Sequence, residues 1–473
     1  MSIPIADYVA MSPVLGAMVV SLLILTVEFL IDAGERVTFY VSLVGISLCI
    51  ALSVYAYPMN GTAFNGMVQT GGYANFFNCL FLVSAGLTIL LSRSYLEKEN
   101  INYGEYYCLI IFATIGMMLI ASAADFIVVF LGIELMSISL YVLAGFMRRR
   151  AKSNESALKY FLLGAFATGF LLYGIALLYG SVGTTNIGSI VSRFSGVSNS
   201  YLSWAGIGLI LVGLSFKVAV APFHMWVPDV YEGAPTTAVA FMSTGSKAAA
   251  FAAFLLVFGR IVEHNQRLTD LLSLIAAASM IVGNVIAISQ SNLKRMLAYS
   301  TIAHAGYILT GLAAGNELGR EGILFYLTVY VFMNIGALGV LSVIEREEEK
   351  NLSYEDYSGL SQKNPFTAIL MAIFMFSLAG IPPFGGFLAK YYVFAAAVNS
   401  NLTWLAIIGV LTSLVSVYYY LRLVVIMYFG ESATAYSNTV SKTCIAALTI
   451  SALAVLGLGI FPSTILSLTR QLF

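Results

Sequence analysis

Long apolar stretches, separated by short polar segments, recur from one end of the chain to the other. Each has the length of about 20 residues that an α-helix needs to cross about 30 Å of hydrocarbon. We count fourteen of them, at residues 12–31, 37–57, 75–92, 106–124, 126–146, 159–180, 203–228, 236–259, 271–290, 298–314, 322–344, 365–397, 403–429 and 443–462. The pattern predicts an all-α, polytopic membrane protein whose residues 1–473 form a single integral membrane domain.

Composition agrees with this class of protein. Hydrophobic residues make up 59% of the chain and charged residues only 10%, and the mean hydropathy is +0.89. A soluble domain of 473 residues needs more polar surface than this. We therefore expect the surroundings to be a lipid bilayer, with no nucleic-acid partner, although the net charge of zero by itself says nothing about partners.

Basic residues are unevenly divided between the loops. The odd-numbered loops contain fourteen of them, whereas the even-numbered loops and the two termini contain five. Loops rich in lysine and arginine remain on the cytoplasmic side of a membrane. The bias predicts that both termini lie on the outer face. Asp125, Asp229 and Lys294 are expected near the membrane interface.

Four charged residues lie inside the apolar stretches rather than at their ends: Glu134, Lys217, Lys247 and Lys390. Charges at this depth are costly and rare, and they usually mark an ion or proton path. Snorkelling is difficult for Lys217 and Lys390, because a side chain of about 6 Å cannot cover the roughly 15 Å from the bilayer centre to the interface. These four residues are the predicted proton relay.

Prolines interrupt the seventh and twelfth spans. The sequences are AVAPF at residues 219–223 and GIPPF at residues 380–384. Proline removes a backbone donor and clashes with the preceding turn, so we predict that both helices are broken in mid-membrane. Lys217 and Lys390 lie close to these two breaks. The alternative is an ordinary packing kink beside a lysine that reaches the interface.

The two interruptions also predict an internal repeat. Pro383 follows Pro222 by 161 residues, and the same step takes the start of span four close to the start of span nine. Residues 105–260 and 271–429 would then be two copies of a five-helix unit. Because five is odd, the second copy enters the membrane inverted, as in many transporters.

Two histidines could extend the relay. A buried Glu–Lys pair can change between charged and neutral forms when its partner moves, and Glu134 is the candidate acidic partner of the lysines. His224 and His304 add imidazoles, which titrate near neutral pH. A single histidine in a membrane helix is, however, about as often a hydrogen-bonded structural residue.

We predict neither a cofactor site nor a metal site in this chain. The four cysteines are far apart and show no paired spacing of the kind that iron–sulfur ligands or disulfides have. The glycine-rich run GIGLILVG at 206–213 lies inside a membrane span, without the strand and turn of a dinucleotide site. Such glycines are typical of close helix packing.

Two segments resemble a known family. KVAVAPFHMWVPDVYEGAPT at 217–236 and NLKRMLAYSTIAHAGYILTG at 292–311 look like the signature stretches of the subunit N family of bacterial NADH-quinone oxidoreductase, respiratory complex I. The resemblance covers essentially all fourteen spans. It implies inverted five-span repeats, broken helices seven and twelve, and proton pumping along buried charges. By position, the family's relay residues are Glu134, Lys217, Lys247 and Lys390.

The resemblance also implies where the redox chemistry occurs. FMN, iron–sulfur clusters and quinone are expected in partner subunits, which comprise neighbouring antiporter-like and small membrane subunits and a peripheral redox arm. The chain would then act as a proton-translocating subunit of the oxidoreductase in the bacterial plasma (inner) membrane, with its termini on the periplasmic face. At the position of Lys390 the resemblance implies a glutamate in the related subunit M, so the lysine favours subunit N. The VYEGAP run favours subunit N over Mrp-type cation/proton antiporters.

Two other functions remain open at this point. The chain could be a subunit of a multisubunit Na⁺(K⁺)/H⁺ antiporter without a redox partner. It could also be a structural membrane chain whose buried charges only fix assembly.

Overall fold

The computed structural model describes residues 4–31, 34–197, 200–345, 352–431 and 440–472. These ranges are mainly helical and contain one small sheet. The helices of the first half are α1 Ile5–Ala10, α2 Ser12–Leu30, α3 Gly34–Ala56, α4 Gly72–Lys98, α5 Gly104–Ala121, α6 Phe126–Ala144, α7 Ala151–Val182, α8 Ile187–Val197, α9 Tyr201–Val218, α10 Val227–Gly233 and α11 Thr236–Phe258. Those of the second half are α12 Gln266–Ile288, α13 Leu293–Ala313, α14 Glu317–Ile344, α15 Leu360–Lys363, α16 Pro365–Ala379, α17 Gly385–Asn399, α18 Thr403–Phe429, α19 Lys442–Ile460 and α20 Ser463–Thr469.

Each of the fourteen predicted spans corresponds to described helix. Twelve of the described helices are long and apolar enough to cross a membrane. The other two predicted spans correspond to α13, a helix of 21 residues, and to α16 followed by α17. The prediction of an all-α polytopic membrane protein is confirmed.

The sheet is a short hairpin between α3 and α4. Strand β1, Gly61–Ala63, pairs antiparallel with β2, Val68–Thr70, with Gly61 opposite Thr70. Its second strand also bonds to the loop before α6, because Gln69 N donates to Ser122 O at 2.7 Å. The hairpin is thereby joined to the loop between α5 and α6.

Helices α11 and α14 form the centre of the bundle. In their most apolar windows 94% and 89% of the residues are buried, compared with 33% for both α2 and α19. A helix that is apolar on all sides is stable only when other helices or lipid surround it. Polar side chains on α11 and α14 therefore lie inside the protein, away from lipid.

Two helices end where the sequence predicts interruptions. Helix α9 ends at Val218 and the next helix begins at Val227, whereas α16 ends at Ala379 and α17 begins at Gly385. That these gaps lie in the middle of the membrane stays a prediction.

The two helix ends have the same backbone hydrogen bonds. After α9, Ala219 N donates to Phe216 O and Val220 N to Ser215 O, both at 3.2 Å. After α16 the equivalent donors and acceptors each lie 161 residues later, and both bonds are 3.0 Å: Gly380 N to Ser377 O, and Ile381 N to Phe376 O. This is a Schellman motif, and it places Ala219 and Gly380 in the left-handed region, with φ of 61° and 84°.

Helix pairs elsewhere in the two predicted repeats also pack alike. A Cβ placed on Gly132 of α6 would lie 2.8 Å from Gly116 O of α5. A Cβ on Gly306 of α13 would lie 2.8 Å from Ala276 O of α12. In each pair a glycine permits backbone contact between the first two helices of the unit. The similarity supports the inverted repeat, which remains a proposal.

Ion pairs fix α10 at one end of the bundle, which we call the basic end. Asp229 accepts from Lys159 at 2.8 Å and from Arg295 at 2.9 Å, and Glu232 accepts from Arg295 at 2.8 Å and from Lys152 at 3.0 Å. Partial burial alone would raise the pKa of Asp229, but hydrogen bonds from Lys159 and Arg295 outweigh it and hold this pKa below its ordinary value. Helix α10 is thereby joined to α7 and α13.

Candidate functional site

Lys217 lies in the last turn of α9, immediately before the first interruption. Its side chain is 4% exposed. The ammonium donates to Ser137 Oγ at 2.7 Å and to Tyr141 OH at 3.4 Å, both on α6. Ser137 and Tyr141 are one turn apart on the same face of that helix. A buried ammonium therefore contacts two hydroxyls, each of which can accept and release a proton.

Glu134 lies one turn before Ser137 on α6 and is half-buried. Among the residues that the structure describes, its carboxylate has no hydrogen-bond or ion-pair partner. No hydrogen bond or ion pair joins it to Lys217. The predicted Glu–Lys contact is not formed here, because the ammonium of Lys217 reaches the α6 positions one and two turns further along.

Lys247 lies in the middle of α11 and is 2% exposed. Its ammonium donates to Thr301 O of α13 at 2.9 Å. The Thr301 hydroxyl is hydrogen-bonded to Tyr330 OH of α14 at 3.0 Å. Asn334 Nδ2 donates to Tyr330 OH at 3.3 Å and to Ser243 Oγ at 2.7 Å, and Ser243 lies one turn before Lys247 on α11. The lysine is therefore part of a polar ring that joins three central helices.

His304 lies one turn after Thr301 on α13 and is buried. One ring nitrogen is 2.6 Å from Tyr326 OH and the other is 3.1 Å from Tyr420 OH. Tyr420 OH also makes a short hydrogen bond to Ser300 Oγ. Because both nitrogens have hydroxyl partners, a proton can enter at one nitrogen and leave at the other. The geometry suits both a structural histidine and a relay histidine.

Lys390 lies on α17, after the second interruption, and is 5% exposed. Its ammonium donates to Leu378 O and Ala379 O at 3.0 Å, at the end of α16, and to Ser413 Oγ of α18 at 2.8 Å. It also lies over the Tyr307 ring, 5.1 Å from its centroid. The carboxyl-terminal end of a helix is partially negative, so this position stabilises a cation.

His224 lies in the first interruption and is apart from the other candidates. It is buried, and its Nδ1 has no hydrogen-bond partner within the described part of the chain. Hydrogen bonds do not connect it to Lys217. It stays a predicted relay residue without a structural link.

The structure brings the candidates together in two groups. Glu134 and Lys217 lie along α6 and α9. In the second group Lys247 contacts Thr301, which lies one turn before His304 on α13, and Lys390 lies further along the second repeat. The sequence predictions missed the hydroxyl partners. Their only signal is spacing, since Ser137 and Tyr141 follow Glu134 by about one and two helical turns. Across the described ranges no three His, Cys, Asp or Glu side chains converge as a metal site requires.

Comparisons with known proteins place the chain in a family. The family described as NADH:quinone oxidoreductase/Mrp antiporter, TM matches residues 123–416. NADH-quinone oxidoreductase subunit N from Trichlorobacter lovleyi is 50% identical over 438 residues, covering 91% of this chain and 90% of that protein. NADH-quinone oxidoreductase subunit N 1 from Chloroherpeton thalassium is 44% identical over 468 residues, covering 98% of each chain.

A solved structure has the same fold along the whole chain. One chain of respiratory complex I from Thermus thermophilus with bound Aureothin superimposes with a TM-score of 0.85. The two sequences are 35% identical, and the match covers 97% of this chain and 99% of that one. The resemblance inferred from the sequence is confirmed. This chain belongs to the NADH:quinone oxidoreductase/Mrp antiporter family, within the group of bacterial NADH-quinone oxidoreductase N subunits.

Proposed function

We propose that this chain is a proton-translocating, antiporter-like membrane subunit of NADH-quinone oxidoreductase. Partner subunits would reduce quinone. The resulting conformational or electrostatic change would pass along the buried charges and drive protons across the membrane. The relatives named as subunit N and the similarity to a chain of complex I support this assignment. The expected partners are other membrane subunits of a respiratory complex in the bacterial inner membrane, and a peripheral arm with FMN and iron–sulfur clusters.

One observation carries the proposal. Lys217, Lys247 and Lys390 are at most 5% exposed, and none forms an ion pair with a described carboxylate. A buried ammonium without a counter-ion is expensive, so a residue with only structural importance would be replaced by a neutral one at little cost. Three such lysines at separate positions are expected if each alternates between ammonium and neutral amine.

The hydroxyl groups supply short steps for the proton. A neutral Lys217 can take a proton through Ser137 or Tyr141, and a charged Lys217 can return it along the same contacts. An ionised carboxylate at Glu134 would favour the charged form of a lysine near it. A change in the charge or position of Glu134 would therefore change the proton affinity of Lys217. This is how a disturbance from a neighbouring subunit could enter the relay.

Water has access to the far end of α11. Next to Gly259, where α11 has just ended, a cavity of about 840 Å³ is lined by polar side chains that include Gln69, Asn186 and His264. A polar cavity of this size holds many water molecules. It supports an aqueous route at the end of the bundle opposite the basic end.

The assignment is tested by purifying the tagged chain in a mild detergent. We expect flavin-containing and iron–sulfur subunits to co-purify, and the reconstituted fraction to take up protons when NADH reduces quinone. If only small membrane antiporter subunits co-purify and no quinone reductase activity is present, the Na⁺(K⁺)/H⁺ antiporter is the correct assignment. Replacing Na⁺ by choline in the same vesicles should leave proton uptake unchanged. A loss of uptake would also favour the antiporter.

A further inference from the structure

A buried carboxylate outside the predicted relay lies at the basic end. Glu345 directly follows α14 and is 1% exposed. Its carboxylate accepts from Thr236 Oγ1 at 2.5 Å and from Tyr95 OH at 3.5 Å. Among the described residues no lysine, arginine or histidine forms an ion pair with it. Both hydroxyl partners are neutral, and they offset only part of the cost of burying a carboxylate charge.

A partly exposed lysine lies next to Glu345. Lys98, the last residue of α4, is partly exposed. Its ammonium donates to Ser342 O at 3.0 Å and also to the backbone oxygen of Glu345. Exposed residues such as Glu97 lie next to it in the sequence. The carboxylate thus lies behind a partly exposed lysine at the end of the bundle.

Helix α11 leads from Glu345 towards Lys247. Thr236 is its first residue, and Thr236, Ala240, Ser243 and Lys247 follow one another at the spacing i, i+4, i+7 and i+11, which places them on one face. Ser243 belongs to the polar ring around Lys247. The remaining step from Thr236 to Ser243 covers about 10 Å at 1.5 Å per residue. The side chain at position 240 is only a methyl group.

The polar ring also contains a buried oxygen atom that lacks a hydrogen-bond partner in the described structure. Asn334 Oδ1 is buried within the polar ring and has no hydrogen-bond partner among the described residues. Buried amide oxygens are ordinarily satisfied by protein or by ordered water. Since Asn334 Nδ2 already bonds to Ser243 and Tyr330, its oxygen remains able to accept a hydrogen bond from a water molecule.

We propose that Glu345 is the proton-accepting group at the basic end and that it supplies Lys247 through the polar face of α11. The carboxylate takes a proton from the aqueous phase, and the carboxylic acid passes it through the Thr236 hydroxyl and intervening water to the neutral amine of Lys247. The amine becomes an ammonium and the carboxylate is restored. This inference rests on the proposed proton translocation.

The competing account is a structural clamp between α11 and α14. A clamp needs only the hydrogen bond to Thr236, which a glutamine at 345 can accept equally well. A proton acceptor needs the carboxyl group. Glu345→Gln therefore separates the two accounts while keeping the shape of the side chain.

The experiment measures NADH-driven proton uptake by proteoliposomes containing the whole purified complex. We expect Glu345→Gln to lose most of the uptake, Glu345→Asp to retain part of it, and assembly to be unchanged. Glu97→Gln is the matched control, because it also removes a carboxylate near the basic end, and it should pump like the wild type. Full uptake by Glu345→Gln, or an equal loss in Glu97→Gln, would overturn the proposal.

Two further variants, Thr236→Val and Lys247→Ala, are measured in the same assay. Thr236→Val removes the hydroxyl donor but keeps the side-chain shape, so it should also lower uptake. If Glu345→Gln fails to assemble, normal uptake by assembled Thr236→Val and Glu345→Asp would overturn the inference. Lys247→Ala is measured in parallel. If it loses uptake while Glu345→Gln does not, only this inference fails. If neither loses uptake, the proposed translocation fails first.

Discussion

The two interrupted helices end in the same pattern of backbone hydrogen bonds, but the lysine near each interruption has different hydrogen-bond partners. Both α9 and α16 end in the same pair of hydrogen bonds, with a left-handed residue at equivalent positions. Lys217 precedes its interruption and contacts two hydroxyls of α6. Lys390 follows its interruption and contacts two backbone carbonyls and one hydroxyl.

The difference concerns how easily each lysine changes charge. Backbone carbonyls at a helix end only accept hydrogen bonds, and they favour the ammonium. Hydroxyls can donate as well as accept, so they can solvate both the ammonium and the neutral amine. Lys217 therefore has only hydroxyl partners, which can solvate both of its forms, whereas two of the three partners of Lys390 can only accept hydrogen bonds. We infer that the first interruption is the more responsive of the two.

The largest effect is expected from a substitution that disrupts the backbone packing at the second interruption. A Cβ on Gly386 would overlap Ser377 O, because the short gap between α16 and α17 brings these backbones together. Gly386→Ala should destabilise the fold by about 3 kcal/mol and reduce the amount of assembled complex. Gly457→Ala is the control, since a Cβ there has no atom within 4 Å. Thermal unfolding of the purified complex measures both. Equal stability of the two variants would contradict the close approach.

The next effect compares the two lysine environments directly. Ser137→Ala removes one of the two hydrogen-bond partners of Lys217, whereas Ser413→Ala leaves Lys390 with both carbonyls. A hydrogen bond to a charged group contributes about 1.5–3 kcal/mol, so we expect Ser137→Ala to slow proton uptake roughly tenfold. Ser413→Ala should have a clearly smaller effect. The initial rate of NADH-driven uptake is the measurement, and a reversed order would show that the comparison is wrong.

The smallest effect is expected from substitutions at the two residues with left-handed backbone conformation. Ala219 adopts a conformation that costs an L-residue roughly 1 kcal/mol, whereas Gly380 adopts its equivalent freely. Ala219→Gly should raise the melting temperature of the complex slightly. Gly380→Ala should lower it, and its Cβ would also lie 3.1 Å from Lys390 Cδ. If both substitutions shift the melting temperature in the same direction, the two helix ends do not have the equivalence described above.

The sequence predicted the helices well because a membrane span has a simple signal. Each apolar stretch of about 20 residues became helix, and proline marked where α9 and α16 would end. Lys217 and Lys390 were also predictable as buried, because a lysine side chain is too short to reach the interface from the bilayer centre. Physical limits on length and charge act locally, so they can be seen in a single sequence.

The partners of those lysines were not predictable in the same way. Tyr330, Tyr326 and Tyr420 look like ordinary residues of apolar stretches, and only the packing of α13, α14 and α18 brings their hydroxyls to one place. Glu134 was the candidate acidic partner of the lysines, but the ammonium of Lys217 instead contacts Ser137 and Tyr141, further along α6. Lateral packing of helices depends on side-chain shapes across the whole bundle, which hydropathy does not encode.

Charges at the ends of spans were the hardest to interpret. Lys294 was expected near the interface, which stays a prediction, but the sequence did not indicate that it is completely buried within the protein and donates to Ala234 O at 2.7 Å. Glu345 directly follows an apolar stretch and precedes a charged run, so it looked like a loop residue. In both cases a neighbouring helix covers the side chain, and the local sequence does not indicate this burial.

The most direct test of the account measures NADH-driven proton uptake by the reconstituted complex with Lys217→Ala. The matched control is Ser215→Ala, a buried residue on the same helix whose hydroxyl has no hydrogen-bond partner in the described structure. We predict that both variants assemble, that Ser215→Ala pumps normally and that Lys217→Ala loses proton uptake. Normal uptake by an assembled Lys217→Ala complex would contradict the relay and leave Lys217 with a structural role.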